Sequence, residues 1–161
     1  MAEALLRHHL SEAGHSIDVA SAGTLGWSGK PATTHAVEVL SERGVPLADH
    51  VSRKLTRELL DDADLVLAMT RTHAWAVAAH DDDAAARTFL LDEVVRLGEQ
   101  AGPRGGEPLG GWVAELDALR PPDRLGRATD EITDPAGEPI EVYRGCADRL
   151  ERSVRRLIAL L

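Results

Sequence analysis

The spacing of hydrophobic residues predicts a long helix at each end of the chain. Over residues 2–13, leucines at positions 5, 6 and 10 share one helical face, and Gly14 provides a stop. The closing segment, 138–161, has apolar residues three and four positions apart, which predicts a helix with one core-facing stripe. That stripe consists of Tyr143, Cys146, Leu150, Val154, Leu157 and Leu161.

Shorter helices are predicted between these two. The patterns over 32–43 and 57–63 are helical, and a further helix reaches His80 from an expected N-cap at Thr72. Residues 99–130 are rich in glycine and proline, which predicts an irregular insert with one helical piece near 112–119.

Three short segments have the pattern of β-strands. Residues 16–20 alternate polar and apolar positions, whereas 65–69 and 88–91 are continuous apolar runs typical of buried parallel strands. Strands that alternate with helices predict an α/β fold, a three-layer sandwich around a short parallel sheet. With no repeat and no linker, residues 1–161 are expected to form a single domain.

Composition narrows the class of protein. The formal charge of −9, from 27 acidic and 18 basic residues, argues against a nucleic-acid partner and against an anionic membrane surface. No apolar signal core and no membrane-spanning stretch occur in the sequence, and the single cysteine fits a reducing compartment. A cytoplasmic location is therefore expected, while the oligomeric state stays open.

Six short motifs occur in a fixed order along the chain. They are M-A-E-A-L-L at 1–6, S-A-G-T at 21–24, W-S-G-K-P-A at 27–32, H-V-S-R-K-L-T at 50–56, A-D-L-V-L-A-M-T at 63–70 and D-P-A-G at 134–137. In this order and spacing the chain resembles the low-molecular-weight protein tyrosine phosphatases, over about 1–93 and 133–161. The resemblance implies hydrolysis of phosphotyrosine proteins or small phosphomonoesters through a cysteinyl-phosphate intermediate, with no cofactor.

The nucleophilic motif of that family, C-x5-R, has no convincing counterpart in this sequence. Cys146 and Arg152 match the bare spacing, but the five residues between them are helix formers that include two carboxylates. A phosphate loop needs small residues whose N–H groups converge on the anion. In the family that loop and the central first strand precede the helix that here begins near Met1. We therefore expect a chain that is truncated at its N-terminus and inactive as it stands.

The resemblance assigns roles to five residues. Asp134 corresponds to the general acid that protonates the leaving phenolic oxygen, and Pro135 stiffens its loop. Trp27 corresponds to an aromatic wall of the substrate cleft. Ser21 and His50 correspond to residues that support the phosphate loop. Where many members carry tyrosines after D-P, this chain has Ala136 and Gly137, so a less enclosed cleft with weaker selectivity for aromatic phosphoesters is expected.

Alternatives to a truncated phosphatase remain open. The chain could be a complete pseudophosphatase or a binding module without catalysis. Arsenate reduction on the same scaffold is a third alternative, but that chemistry uses several cysteines and only Cys146 is present. His8, His9 and His15 lie close in sequence without a recognised metal-ligand spacing, so no metal site is expected.

Overall fold

A computed structural model describes residues 1–25, 28–122 and 126–161. The chain divides into two compact units, the first formed by Met1–Lys54 with Thr133–Ile158 and the second by Leu55–Ile132 with Ala159–Leu161. The expectation of a single domain therefore stays a prediction. Among the described helices, none has the length and apolar content that a membrane crossing requires.

The described elements are seven α-helices, two 3-10 helices and two strands. In chain order they are α1 (Ala2–Glu12), α2 (Thr34–Ser41), α3 (Arg57–Asp61), β1 (Val66–Ala68), α4 (Arg71–His80), a 3-10 helix (Asp82–Arg87), β2 (Thr88–Leu90), α5 (Leu91–Ala101), α6 (Leu109–Ala118), a 3-10 helix (Ala128–Asp130) and α7 (Ile140–Ile158).

The first unit is built on helices, with α1 and α2 both packed against α7. The buried stripe of α7 consists of Tyr143, Ala147, Leu150, Val154 and Leu157. Cys146, which was predicted for this stripe, is half-buried, because alternating steps of four and three residues keep a helical stripe continuous and place Ala147 in it. Leu161, also predicted for that stripe, lies beyond the end of α7 and is half-buried.

The predicted strand at 16–20 is wrong, because this segment has no strand structure. A strand forms only when its backbone groups pair with a neighbour, and none of the described strands pairs with this segment. The Arg7 side chain supplies a different partner, since its Nε lies 3.0 Å from the Val19 carbonyl oxygen to which it donates.

In the second unit, β1 and β2 form a parallel pair with Val66 opposite Thr88 and Ala68 opposite Leu90. This pair, together with the helices, confirms the predicted α/β fold with a short parallel sheet. Helix α4 begins earlier than predicted, since Thr70 rather than Thr72 caps it by accepting a hydrogen bond from the His73 N–H at 3.3 Å.

The segment predicted as an irregular insert contains ordered helices. Helix α5 extends to Ala101, and α6 occupies Leu109–Ala118, which confirms a helical piece near the predicted place. The two helices approach closely, since a Cβ added at Gly98 would lie 2.9 Å from the Trp112 indole. A side chain at Gly98 would therefore force the two helices apart.

Arg120 fixes the end of α6 to the sheet. Its guanidinium is buried, donates to the Thr88 carbonyl at 2.7 Å and the Ala85 carbonyl at 2.9 Å, and pairs with Asp117 at 2.6 Å. Its central carbon lies 3.9 Å from the centroid of the Phe89 ring, a cation–π contact. The insert is thus part of the packed core of the second unit.

Candidate functional site

The loop before α7 displays Asp134 to solvent and anchors itself through Pro135. The Asp134 carboxylate is exposed and accepts a hydrogen bond from the Ala136 N–H at 3.0 Å, an Asx-turn. Pro135 is buried, and its carbonyl accepts from the Glu138 N–H at 3.0 Å. Gly137, with φ of +85°, occupies the third turn position, where positive φ suits glycine. The loop therefore holds a carboxylate outward on a fixed base.

Asp134 lies near the N-terminal end of α1. Burial lowers the pKa of the Met1 α-amino group, while nearby Glu3, Cys146 and Asp134 act on that pKa in the opposite direction. These three side chains therefore lie near the N-cap residue of α1. A helix N-terminus presents unpaired N–H groups and partial positive charge, which suits an anion.

Glu3, in the first turn of α1, brings the two predicted supporting residues together. Its side chain is 10% exposed and pairs with Arg7 at 2.8 Å. The other carboxylate oxygen accepts a hydrogen bond from the Ser21 hydroxyl and lies 3.5 Å from the His50 Nδ1. Sequence reasoning missed Glu3, because a glutamate in a first helical turn is ordinary and its partners lie far along the chain.

Backbone contacts hold the Ser21 and His50 segments against each other. The Arg53 Nε donates to the Ser21 carbonyl at 2.7 Å, and the Gly23 N–H donates to the Arg53 carbonyl at 2.8 Å. Gly23 and Lys54 form an isolated parallel bridge. Two loops distant in sequence thus form one support beside the start of α1.

The surroundings of Cys146 favour the neutral thiol over the thiolate. Residues 146–152 lie within α7, which confirms the predicted helix and excludes a phosphate loop there. Burial raises the pKa of the Cys146 thiol, and the neighbouring Asp134 carboxylate adds to this effect. Reactive cysteines have the opposite shift, toward a stable thiolate at neutral pH.

The structure thus places the predicted residues in two groups. Ser21 and His50 meet at Glu3, while Asp134 and Pro135 form the loop before α7. Trp27, the predicted aromatic wall, lies outside the described residues. The catalytic and supporting roles of all five residues stay predictions.

Comparison with known proteins places this geometry in a family. The sequence profile of the family described as "Low molecular weight phosphotyrosine protein phosphatase" matches residues 1–103. A protein-arginine-phosphatase of Bacillus subtilis (strain 168) is 33% identical over 157 residues, which cover 98% of this chain and 84% of that protein.

Solved structures agree with the sequence matches. A low molecular weight protein tyrosine phosphatase from T. tengcongensis is 29% identical with a TM-score of 0.75, and the match covers 99% of this chain and 88% of that one. The YwlE arginine phosphatase was solved as a cysteine-to-serine mutant with a phosphorylated active-site serine. It is 32% identical with a TM-score of 0.75, and the match covers 99% of this chain and 84% of that one. The chain therefore belongs to the low-molecular-weight protein phosphatase family.

Proposed function

We propose that residues 1–161 form the proton-donating and substrate-facing part of a phosphatase that acts on phosphoproteins, with Asp134 as the general acid. The observation that carries this proposal is the Asp134 loop, an exposed carboxylate on an anchored turn near the start of α1. Phosphotyrosine is the first substrate to consider, because the matching family profile is described by that residue.

The chemistry requires a proton at the leaving oxygen. A phenolate leaves poorly at neutral pH unless it is protonated in the transition state, and a positioned carboxylic acid supplies that proton. Asp134 is free to reach a bound phosphoester because its carboxylate is exposed and its hydrogen bond is to a backbone N–H of its own turn. Pro135 keeps the loop from moving as a whole, since its ring is buried.

The reaction also requires a nucleophile and an anion cradle. In the YwlE mutant, a serine that replaces the active-site cysteine carries the phosphoryl group. In this chain the single cysteine, Cys146, lies within α7 and has a raised pKa. The proposed reaction therefore needs a C-x5-R loop in addition to residues 1–161, with Asp134 acting on the group that leaves.

The test compares two proteins on p-nitrophenyl phosphate. One is residues 1–161 alone, and the other carries, ahead of Met1, a strand and a C-x5-R loop of the family pattern. We expect turnover only in the extended protein, and a further loss of about 10²–10⁴-fold on Asp134→Asn. Turnover by residues 1–161 alone that disappears on Cys146→Ser would contradict the proposal, because the α7 thiol would then be the nucleophile.

Phosphoarginine is a second candidate substrate. Two observations favour it: the 33% identity to a named protein-arginine-phosphatase, and the small residues Ala136 and Gly137 where aromatic side chains would enclose a phenyl ring. Both residues are exposed in the turn. The guanidine leaving group also departs more readily when it is protonated. The guanidinium that forms is planar and cationic, so the Asp134 carboxylate that has lost its proton can pair with it.

Substrate preference is measured as kcat/KM for one peptide sequence carrying phosphotyrosine or phosphoarginine, in the extended protein. If the small turn residues set the preference, Ala136→Tyr raises the phosphotyrosine-to-phosphoarginine ratio by about tenfold, the scale of an aromatic contact. Glu138→Gln, in the same turn, serves as the control and should leave the ratio unchanged. An unchanged ratio in Ala136→Tyr would exclude this explanation of specificity.

A further inference from the structure

A cluster of metal-ligating side chains lies on α1, toward the end opposite Met1. The cluster consists of His8, His9 and Glu12, each of which offers one ligand atom within 4.8 Å of the others. Glu12 follows His8 by four residues and His9 by three, so all three project from one side of the helix. At 1.5 Å of rise per residue the cluster lies about 10 Å along α1 from Met1, so it is separate from the proposed phosphatase site.

Distances in the cluster approach those of a coordination shell. His9 Nδ1 lies 2.7 Å from one Glu12 oxygen, and His8 Nε2 lies 3.5 Å from the other. Ligand atoms around a tetrahedral Zn²⁺ are about 3.3 Å apart, given metal–ligand bonds of about 2.0–2.1 Å. Small side-chain rotations are therefore sufficient to place all three atoms around one ion.

His9 has the environment of a metal-binding histidine rather than of a solvated one. It is 5% exposed, and within the described part of the chain its Nε2 makes no hydrogen bond, although it lies 3.3 Å from a Glu151 oxygen on α7. A metal-bound histidine usually donates its second ring N–H to a carboxylate, which fixes the ring. With a metal on Nδ1, the proton would reside on Nε2 and face Glu151.

Charge and access also suit a cation. Glu12 contributes a carboxylate oxygen to the cluster. The Glu12 side chain is 57% exposed and that of His8 is 31% exposed, which leaves an entry path and room for water as a further ligand. Arg43 and Arg155 pair with Glu151 at 3.4 Å and 2.9 Å and so orient this outer carboxylate.

We propose that His8, His9 and Glu12 bind a divalent transition-metal ion of the Zn²⁺ class, with Glu151 orienting His9 from outside. Two imidazoles and one carboxylate, with water in the fourth position, are the donor set that Zn²⁺ accepts in open sites. From spacing along the chain alone, which paired His8 with His15, no metal site was expected, and the proposal differs from that expectation. His15 lies beyond the end of α1.

Calorimetric titration of the purified chain with ZnCl₂ in metal-free buffer tests the proposal. We expect one saturable ion per chain, and a loss of affinity of at least about tenfold in both His8→Gln and Glu12→Gln. These side chains are partly exposed, so the variants should stay folded, which circular dichroism checks. His80→Gln, at the exposed end of α4, and Cys146→Ser are the controls and should bind as the parent does.

Co²⁺ supplies a second readout that does not depend on affinity. Bound to this donor set, it should show the visible d–d bands of low coordination number without thiolate charge-transfer absorption. Three results would each overturn the proposal: no saturable binding, binding unchanged in both His8→Gln and Glu12→Gln, or binding lost in Cys146→Ser. The first would mean that the cluster is a set of histidine–carboxylate ion pairs.

Discussion

Replacing Glu3 with alanine should weaken the first unit far more than its place at the start of a helix suggests. The substitution removes the acceptor of the Ser21 hydroxyl, the partner of Arg7 at 2.8 Å and the carboxylate 3.5 Å from His50. Because the Glu3 side chain is only 10% exposed, water cannot fully replace these interactions.

The magnitude follows from the three contacts. A hydrogen bond to a charged group contributes about 1.5–3 kcal/mol, and an acidic side chain in a first helical turn adds about 0.3–1 kcal/mol. The Arg7 side chain is 57% exposed, so solvent screening reduces the value of its ion pair to well under about 1 kcal/mol. Glu3→Ala should therefore lower the free energy of unfolding by about 2–4 kcal/mol.

Urea unfolding followed by circular dichroism measures this difference. Glu141→Ala is the matched control, because Glu141 is also a first-turn glutamate, but its side chain is 75% exposed. A double-mutant cycle with Ser21→Ala isolates the hydroxyl–carboxylate contact, and a coupling energy of about 1 kcal/mol or more is expected. Equal effects of Glu3→Ala and Glu141→Ala, with no coupling to Ser21, would refute the role given to Glu3.

Two further predictions concern the second unit. Arg120→Ala should lower the free energy of unfolding by about 3–5 kcal/mol, because it removes the donor to buried backbone carbonyls and breaks the ion pair with Asp117. Arg57→Ala, whose side chain is 63% exposed, should change the free energy of unfolding by less than about 1 kcal/mol. Similar losses for the two variants in urea unfolding would contradict this. Burial raises the folded-state pKa of Glu93, so ionisation of this carboxyl opposes folding. The free energy of unfolding of Glu93→Gln, relative to that of the parent, should therefore increase as pH rises from about 4.3. A difference that does not vary with pH would show that Glu93 carries no such penalty.

Local pattern predicted most of the helices and both strands of the sheet, but it did not predict α5, and the strand that it predicted at 16–20 does not form. The amphipathic stripes over 2–13 and 138–161 predicted α1 and α7 within a few residues, because a helix makes its own hydrogen bonds. The segment 16–20 has the alternation of a strand, yet a strand depends on a partner that local sequence does not reveal. Helix α5 was not predicted, although Leu91, Val94, Val95 and Gly98 have helical spacing, because the glycines and prolines beyond Glu99 favour irregular structure.

The candidate site also contains some residues that could be predicted from the sequence and others that could not. The Asp134 and Pro135 loop was predictable because its motif is contiguous and precedes an obvious helix. Glu3 was not, since its importance comes from Ser21 and His50, which are distant in sequence and close only in the fold. Arg120 was hidden for the same reason, as its acceptors are backbone carbonyls that carry no sequence signal.

The central claim, that Asp134 donates the proton to the leaving group, is tested most directly by varying the leaving group. In the protein extended by the C-x5-R segment, kcat/KM is measured for phenyl phosphate and for 2,4-dinitrophenyl phosphate, with and without Asp134→Asn. A general acid predicts a loss of about 10²–10⁴-fold on phenyl phosphate and little loss on the dinitrophenyl ester, whose anion leaves without a proton. Equal losses on both esters, or none on either, would contradict the role of Asp134.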